Sequence, residues 1–306
     1  MELSISVYQE FLAIWKGQLS ITHADVLPHL SGSPNMHFYA SDQTTSPPGN
    51  QYFIKVTKNE QAYQREGSVL SIIASKVDFD MHLVAEGVHD KGYYWRAFCW
   101  IHCDAVHPET PEEYREIGRT LGRMHSGTTP ASFPGIRPLS LGRSLAQEVE
   151  NLQRVSVDLG KYFTRPIQWL LSYESAWVAY EQTLPQVLLH RDFGWRNLIR
   201  KETGELMIVD YEHVALGPCY LDLTKCLDRE LCQPEHLHFF EQGYAEVTHV
   251  VFDHVPVDYS WGTRLWGAAR FFYHGTTQDD QTSIEHGFTI VERLRKEWRR
   301  VSEAND

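Results

Sequence analysis

Cysteine is scarce in this sequence and follows no pairing or ligand pattern. The 306 residues include five cysteines, an odd and scattered set. Cys99 and Cys103 enclose His102, but no second pair with the spacing of zinc ligands follows. These features argue against a disulfide framework and against a structural zinc site. We expect reduced thiols in a cytoplasmic protein.

Long apolar runs and an excess of positive charge are missing as well. No apolar run approaches the length of a membrane span, and residues 1–4 lack the basic and apolar regions of a signal peptide. With 28 basic and 40 acidic residues, the net charge is -12. This charge argues against a nucleic-acid partner and favours the steering of cationic ligands. We therefore expect neither a membrane nor a nucleic acid as partner.

The remaining composition is that of an ordinary globular protein of one or two domains, with 42% hydrophobic and 22% charged residues and no internal repeat. Extended segments between residues 26 and 98 predict a five-stranded antiparallel sheet. Thr110 before Pro111 is a good helix N-cap. Apolar periodicity predicts helices over these segments: 4–19, 60–76, 111–126, 141–157, 166–183, 219–231, 234–249, 258–273 and 281–301.

The most informative stretch is residues 188–223. Two apolar runs flank a polar, glycine-containing turn at residues 201–205, which is typical of a β-hairpin. The first arm begins just after Asn197 and the second ends at Asp210. An apolar segment upstream runs into Asp192. The pattern predicts that these three oxygen-bearing side chains meet at one edge of the hairpin.

This set of oxygen atoms suits magnesium and a phosphate group. Magnesium takes one or two protein oxygens and leaves room for phosphate oxygens and water, so Asn197 and Asp210 are candidate ligands. Asp192 precedes Asn197 by five residues. A carboxylate there can accept or orient the proton of a hydroxyl group.

The motif His190-x-Asp192-x4-Asn197, followed by Ile208-Val209-Asp210, resembles the catalytic and metal loops of the kinase-like phosphotransferases. The tail Gly217-Pro218-x2-Leu221-Asp222-Leu223 makes it most similar to the aminoglycoside phosphotransferase and choline kinase superfamily. This resemblance implies an α+β, two-lobed protein-kinase-like fold. A small antiparallel β N-terminal lobe would span residues 1–99 and a larger, mainly helical lobe residues 102–306, with the hinge near 97–101.

A lysine in a predicted buried strand is a second feature that supports the resemblance. Lys55 lies within an apolar run at residues 52–56 and needs a partner of opposite charge. The following helix offers Glu66. In the family, the strand lysine contacts the nucleotide phosphates and pairs with a helix glutamate. The resemblance covers nearly the whole chain, but it is specific only at these two residues and at 188–223.

The resemblance implies a complete set of roles, with ATP (or GTP) and Mg²⁺ as cofactors. Asp192 would be the catalytic residue, and Asn197 and Asp210 would hold magnesium. His190 and Asp222 would brace the catalytic loop. The nucleotide would be bound by Lys55 and Glu66, by a small-residue turn over the phosphates, and by the hinge around adenine: Ser31, Gly32, Ser33 and Asn35 in the turn, and Phe98 and Trp100 at the hinge.

The acceptor is implied to be a small molecule with a hydroxyl group. An aminoglycoside-type, cationic acceptor would need acidic residues near the site, and Asp228 and Glu230 are candidates, with Trp195 beside them in the catalytic loop. The alternative is a metabolite kinase for choline, ethanolamine, homoserine or a sugar. Choline would need an aromatic cage, which residues 261–273 could supply. The residues 193–196 differ from the family's usual loop ending, so the acceptor stays open, as does the choice between monomer and homodimer.

Two further classes compete with the small-molecule kinase. A protein kinase shares the His190-Arg191-Asp192 motif, but it would have Asp-Phe-Gly at 210–212, an Ala-Pro-Glu motif, a Gly-rich loop and, in Ser/Thr kinases, a lysine where this chain has Gly194. A non-catalytic nucleotide-binding module is the other alternative. The intact catalytic positions argue against it.

Overall fold

The computed structural model describes residues 4–27, 35–42, 50–76, 81–128, 133, 136, 138–252 and 254–305. By packing, the chain divides into two compact units. The first unit comprises Met1–Asp104 and Arg200–His213, and the second comprises Ala105–Ile199 and Val214–Asp306. None of the helices in the described ranges is long and apolar enough to cross a membrane.

The first unit is built on a five-stranded sheet in which every neighbouring pair is antiparallel, in the order β1-β2-β3-β5-β4. Trp15 of helix α1 packs edge-on against Phe38 and Trp95 in its core. The central strand β3 carries Lys55. The bounds are α1 Ile5–Leu19, β1 His23–Val26, β2 Met36–Ser41, β3 Gln51–Thr57, α2 Glu60–Lys76, β4 Leu83–His89 and β5 Tyr93–Cys99.

The later part of the chain is mainly helical. Its short strands form the antiparallel pair β7–β10 and a sheet in the order β6-β8-β9. The bounds are β6 Cys103–Ala105, α3 Pro111–Ser126, α4 Leu141–Val155, α5 Val157–Leu171, α6 Glu174–Glu181, β7 Gln186–Leu189, β8 Leu198–Lys201, β9 Leu206–Ile208, β10 Ala215–Pro218, α7 Pro234–Thr248, α8 Val257–Gln278 and α9 Gln281–Asn305. Short 3-10 helices span Trp195–Asn197, Tyr211–His213 and Cys219–Lys225. The predicted fold class is confirmed.

The single helix predicted over 166–183 is wrong. Helix α5 begins at Val157, where Ser156 accepts a hydrogen bond from the Leu159 backbone, and it contains Pro166 in its interior. Apolar periodicity does not show that this proline lies within a helix that begins earlier. Burial of the apolar face with Phe163 and Ile167 outweighs the missing hydrogen bond. A turn at 172–173 then separates α5 from α6.

The α-helix predicted over 219–231 is also wrong. The segment Cys219–Lys225 is a 3-10 helix, followed by turns. All seven of its side chains are buried. A stripe pattern of apolar residues cannot identify such a helix, because every face of it is covered.

Helices α3 and α7 cross in backbone contact at two glycines. A Cβ atom at Gly118 would lie 2.1 Å from the Phe240 carbonyl oxygen, and one at Gly243 would lie 2.0 Å from the Arg115 carbonyl oxygen. Backbone atoms cannot move aside as the end of a flexible side chain can. This crossing therefore requires glycine at both positions.

We expect Gly118→Ala to destabilise the protein by about 3 kcal/mol, because the added methyl group would push the two helices apart. Urea-induced unfolding measures the change. Gly17→Ala is the matched control, since Gly17 lies on an exposed face of α1 with nothing within 4 Å of the added atom. It should stabilise by about 0.5–1 kcal/mol. Equal stability of the two variants would contradict the packing argument.

Candidate active site

The first cluster of predicted site residues surrounds Lys55 and is called the lysine cluster: Lys55, Glu66, Asp210 and Glu212. The Lys55 side chain is 7% exposed. Its Nζ donates to Glu66 Oε1 at 3.0 Å and to Asp210 Oδ1 at 2.6 Å, and it lies 3.0 Å from Glu212 Oε2. The structure thus brings Lys55 together with Glu66 and Asp210, two residues that the sequence analysis had named.

The lysine cluster has one cationic side chain and three acidic side chains. Burial would lower the pKa of Lys55, but its three carboxylate neighbours outweigh burial and raise that pKa above its ordinary value. Arg96 takes the second oxygen of Glu66 at 3.0 Å. Asp210 is the most exposed of the three carboxylates, at 33% against 7% and 6%. It is therefore the carboxylate best placed to meet a further cation.

The predicted phosphate turn is only partly described. Ser31, Gly32 and Ser33 lie outside the described residues. Asn35 is buried, and its Nδ2 donates to Glu212 Oε2 at 2.7 Å, which joins Asn35 to the lysine cluster. Its role in nucleotide binding stays a prediction.

The two predicted hinge residues have different surroundings. Phe98 is buried, with its ring near that of Phe53. Trp100 is half-buried; its backbone N–H donates to the Gln51 carbonyl oxygen at 2.9 Å, and its ring meets Tyr39 edge-on. The Trp100 N–H thus extends the hydrogen bonding of the sheet. Contact with adenine stays a prediction for both residues.

The second cluster surrounds the predicted catalytic carboxylate and is called the aspartate cluster: Asp192, Arg196, Asn197 and Lys225. The Oδ2 atom of Asp192 accepts from Arg196 at 2.7 Å and from Asn197 Nδ2 at 3.0 Å. The Oδ1 atom accepts from Lys225 Nζ. Asn197 Nδ2 also donates to the Asp192 carbonyl oxygen at 2.8 Å.

These contacts keep Asp192 ionised. Burial alone would raise its pKa, but Lys225 and Arg196 hold the pKa of this carboxyl well below its usual range. Burial and the nearby Arg270 lower the pKa of Lys225 to about 7, while Asp192 opposes that shift. The ammonium group therefore depends on Asp192 for its charge.

Asp222 holds the start of the catalytic loop. Its two oxygens accept from the backbone N–H groups of His190 at 2.7 Å and Arg191 at 2.6 Å. His125 Nε2 lies 3.1 Å from the same carboxylate. Arg191 has a φ of 64°, in the left-handed region that costs an ordinary residue about 1 kcal/mol or more. The two hydrogen bonds to Asp222 help to stabilise this turn.

His190 is fully buried and lies inside the loop rather than facing outward. Its Nδ1 accepts from the Asp192 backbone N–H at 3.3 Å, and its exposed fraction is 0%. A ring with this burial suits a brace better than a proton-transfer group. The braces proposed from the sequence, His190 and Asp222, thus both contact the loop that carries Asp192.

The candidate acceptor acids differ in how their charge is met. Asp228 is held by Arg264 through two hydrogen bonds of 2.7 Å. Glu230 Oε1 accepts from Arg229 at 2.6 Å and from the backbone N–H of Trp195 at 3.4 Å. Its other oxygen, Oε2, is buried and has no hydrogen-bond partner among the described residues. Trp195 itself is half-buried, with its ring edge-on to Tyr114.

Two charged members of these clusters, Glu212 and Lys225, were not predicted from the sequence. Lys225 stands between Leu223 and Leu227 as Lys55 stands in its own apolar run, so its need for a partner was predictable. Glu212 stands in the polar segment 210–213 and gave no such signal. The partners of both residues come from distant parts of the chain, so their identity was not predictable.

The chemistry of two predicted metal ligands fits magnesium. The amide nitrogen of Asn197 is committed to Asp192, so its oxygen is the atom that can bind a cation. Asp210 gives one oxygen to Lys55 and retains a second. Oxygen donors of this kind are what Mg²⁺ prefers. Within the described ranges, no three His, Cys, Asp or Glu side chains group as a metal site of another kind.

Comparison with known proteins gives a family and a fold. A sequence model of the phosphotransferase enzyme family matches residues 42–253. No curated protein matches the chain by sequence. Among solved structures, the GDP complex of an aminoglycoside 2'-phosphotransferase-IIIa has a TM-score of 0.71 at 13% identity, covering 96% of this chain and 99% of that one.

Two further solved structures share this fold, and their enzymes are named for other substrates. Choline kinase LicA from Streptococcus pneumoniae has a TM-score of 0.67 at 12% identity, covering 95% of this chain and 98% of that one. Spectinomycin phosphotransferase in complex with ADP and spectinomycin has a TM-score of 0.59 at 14% identity, covering 94% and 92%. At such identities the likeness is one of fold and does not identify an acceptor.

Proposed function

Because the chain belongs to the phosphotransferase enzyme family, we propose that it is a small-molecule kinase, which transfers the γ-phosphate of ATP to a hydroxyl of a small, cationic acceptor of the aminoglycoside type. The observation that carries the proposal is the aspartate cluster. It presents an ionised, buried carboxylate held by three hydrogen-bond donors.

The lysine cluster binds the phosphates of the nucleotide. Glu66 fixes the Lys55 ammonium, and a phosphate oxygen of a bound nucleotide would take the hydrogen bond that Asp210 accepts. Asn35 supports the cluster through Glu212. The turn at Ser31, Gly32 and Ser33 is proposed to cover the phosphates through its backbone N–H groups.

Asn197 and Asp210 would each supply an oxygen ligand to magnesium, which would neutralise charge on the phosphates when it is bound. The remaining chemistry belongs to the protein. Phosphoryl transfer requires mainly the positioning of the two substrates and the neutralisation of charge, so a small number of fixed side chains is sufficient.

Asp192 orients the acceptor hydroxyl and receives its proton. Its low pKa makes it a weak base in the resting enzyme, but transfer proceeds through a loose transition state in which the hydroxyl becomes acidic late. A carboxylate that is already ionised and fixed in direction suits this role. The acceptor oxygen then bonds to phosphorus as the nucleotide diphosphate leaves.

Glu230 supports a cationic acceptor. Its Oε2 atom has no hydrogen-bond partner among the described residues, and an ammonium or hydroxyl group of a ligand would satisfy it once the side chain turns toward the acceptor. Glu230 also adjoins the catalytic loop through Trp195. Arg264 holds both oxygens of Asp228, whereas Arg229 holds only Oε1 of Glu230, so Glu230 is the better of the two candidates.

The aromatic alternative has less support. Of the residues that could form a choline cage on α8, Trp266 and Phe272 are buried in the core at 2% and 0% exposure. A quaternary ammonium group needs aromatic faces that a ligand can reach. We therefore place choline kinase activity second.

The proposal is tested by following ADP release from Mg-ATP with a panel of acceptors: several aminoglycosides, a peptide antibiotic, hygromycin, choline, ethanolamine, homoserine and simple sugars. Stimulation by aminoglycosides is the expected result. Stimulation by choline or another metabolite alone would overturn the acceptor class and leave the kinase activity standing. Silence with every acceptor would overturn the proposal for this set.

We expect Glu230→Gln to raise the KM for a cationic acceptor by about 10–100-fold, because a charged hydrogen bond is worth about 1.5–3 kcal/mol. The kcat value and nucleotide affinity should change little. Glu235→Gln is the matched control, since Glu235 is an exposed acid near the start of α7. Steady-state kinetics with the stimulating acceptor measure both variants. An unchanged KM in Glu230→Gln would remove Glu230 from the acceptor site.

A further inference from the structure

Lys225 contacts the carboxylate on which the proposed reaction depends. Its Nζ lies against Asp192 Oδ1, and both side chains are 7% exposed. A buried ion pair adds little to stability, because removing two charges from water costs about as much as their attraction returns. The presence of this pair beside the reacting group therefore calls for a functional explanation.

The backbone places Lys225 with little freedom. Lys225 ends the 3-10 helix Cys219–Lys225, one turn after Asp222. Side chains three residues apart lie on the same side of a 3-10 helix. Asp222 therefore holds the backbone of the catalytic loop while Lys225 reaches the carboxylate of the same loop. Gly267 of α8 packs on the helix end, where a Cβ atom would lie 2.5 Å from the Thr224 carbonyl oxygen.

The catalytic loop has a glycine, Gly194, at the place where Ser/Thr protein kinases carry a lysine. The cation that the loop itself supplies, Arg196, holds Oδ2 of Asp192. The cation on Oδ1 comes from a different element, the 3-10 helix.

The hydrogen bonds of Asp192 show which oxygen can receive a substrate. Each oxygen of an ionised carboxylate has about two lone-pair sites. Oδ2 accepts from Arg196 and Asn197, so both of its sites are used. Among the described residues, Lys225 is the one donor on Oδ1. One site therefore stays open on the oxygen that Lys225 holds.

We propose that Lys225 is a positioning residue for phosphoryl transfer, which fixes Asp192 so that the open site of Oδ1 receives the acceptor hydroxyl. The proposal rests on the proposed function, because it takes Asp192 as the residue that orients the acceptor. Arg196 cannot replace Lys225 in this role, since its side chain is 55% exposed and it holds the other oxygen.

The reaction step is balanced without a further reactant. The acceptor oxygen forms a bond to the γ-phosphorus, and the bond from that phosphorus to the bridging oxygen of the nucleotide breaks. The hydroxyl proton passes to Asp192 Oδ1.

The test compares Lys225→Met, which keeps the length of the side chain and removes its charge, with the unmodified enzyme. Both enzymes are assayed with the acceptor that stimulates ADP release. ATP hydrolysis by water is measured as well, because it needs no acceptor. We expect kcat to fall by about 10²-fold, as small misplacements in an active site do, while acceptor KM and nucleotide affinity stay within about threefold. Lys225→Ala should regain activity when methylamine is added.

Two controls separate positioning from stability. Lys201→Met removes a lysine that is also buried and paired with an acid, Glu205, and its kcat should change by less than about twofold. Lys225→Arg keeps the charge but changes its geometry, so it should lose about 10-fold in kcat and should decide the question if Lys225→Met does not fold.

The outcomes divide clearly. A kcat within about threefold of the unmodified enzyme in Lys225→Met, or full activity in Lys225→Arg with no methylamine rescue of Lys225→Ala, overturns the positioning role. Asp192→Asn is assayed in parallel. If that variant is inactive while Lys225→Met is active, the proposed function stands without Lys225. If Asp192→Asn is active, the proposed function is refuted, because it requires the Asp192 carboxylate.

Discussion

Asp192→Ala is expected to lower kcat by about 10³–10⁴-fold, the range of a lost general base, while ATP still binds. The variant has no group to orient the acceptor hydroxyl or to take its proton. It also leaves Lys225 buried beside Arg270 without a carboxylate, and the low pKa of that lysine means that it would lose its charge. The measurement is kcat with the stimulating acceptor, together with calorimetric titration of ATP.

Asp192→Asn refines this experiment because it keeps the shape of the side chain. It should lose nearly as much activity and should bind nucleotide as the unmodified enzyme does. A variant of either kind that retains activity would remove the base assignment. Loss of ATP binding in both would mean that Asp192 supports the fold of the site rather than the acceptor.

Asp210→Ala is expected to abolish the magnesium-dependent part of nucleotide binding. Asp210 is the exposed carboxylate on Lys55, and its second oxygen is the proposed metal ligand. Without it, Lys55 keeps Glu66 and Glu212, so the fold of the cluster should survive. Calorimetric titration of ADP with Mg²⁺ and with EDTA separates the two contributions.

The matched control for this variant is Asp25→Ala, which removes an exposed acid from strand β1 of the same unit. It should leave both titrations unchanged. If Asp210→Ala binds Mg-ADP as tightly as the control does, magnesium is held elsewhere. A drop that is equal with and without magnesium would instead assign Asp210 to the orientation of Lys55.

Much of the lysine cluster and the β8–β9 hairpin could be predicted, because their residues are close in sequence or follow a pattern. Lys55 needed a partner, and the helix directly after its strand offered Glu66. The hairpin β8–β9 was predictable from two apolar runs around Gly204, which has a φ of 89°. Local rules are sufficient where chain neighbours make the contact.

The missed features depend on contacts that local rules do not describe. Glu212 joins Lys55 and Asn35 only because Arg200–His213 packs with the first unit. Lys225 reaches Asp192 because its segment winds as a 3-10 helix instead of the expected α-helix. The sequence signalled a buried charge at Lys225 but not at Glu212, and in both cases only tertiary structure supplied the partner.

The crossing of α3 and α7 has a consequence for the order of folding. Helix α3 ends at Ser126 and its partner α7 begins at Pro234, so more than a third of the chain lies between the two glycine-lined faces. During synthesis, α3 leaves the ribosome long before α7 exists. The second unit must therefore wait for α7 before this backbone contact can form, and closing so long a loop is a slow, non-local step.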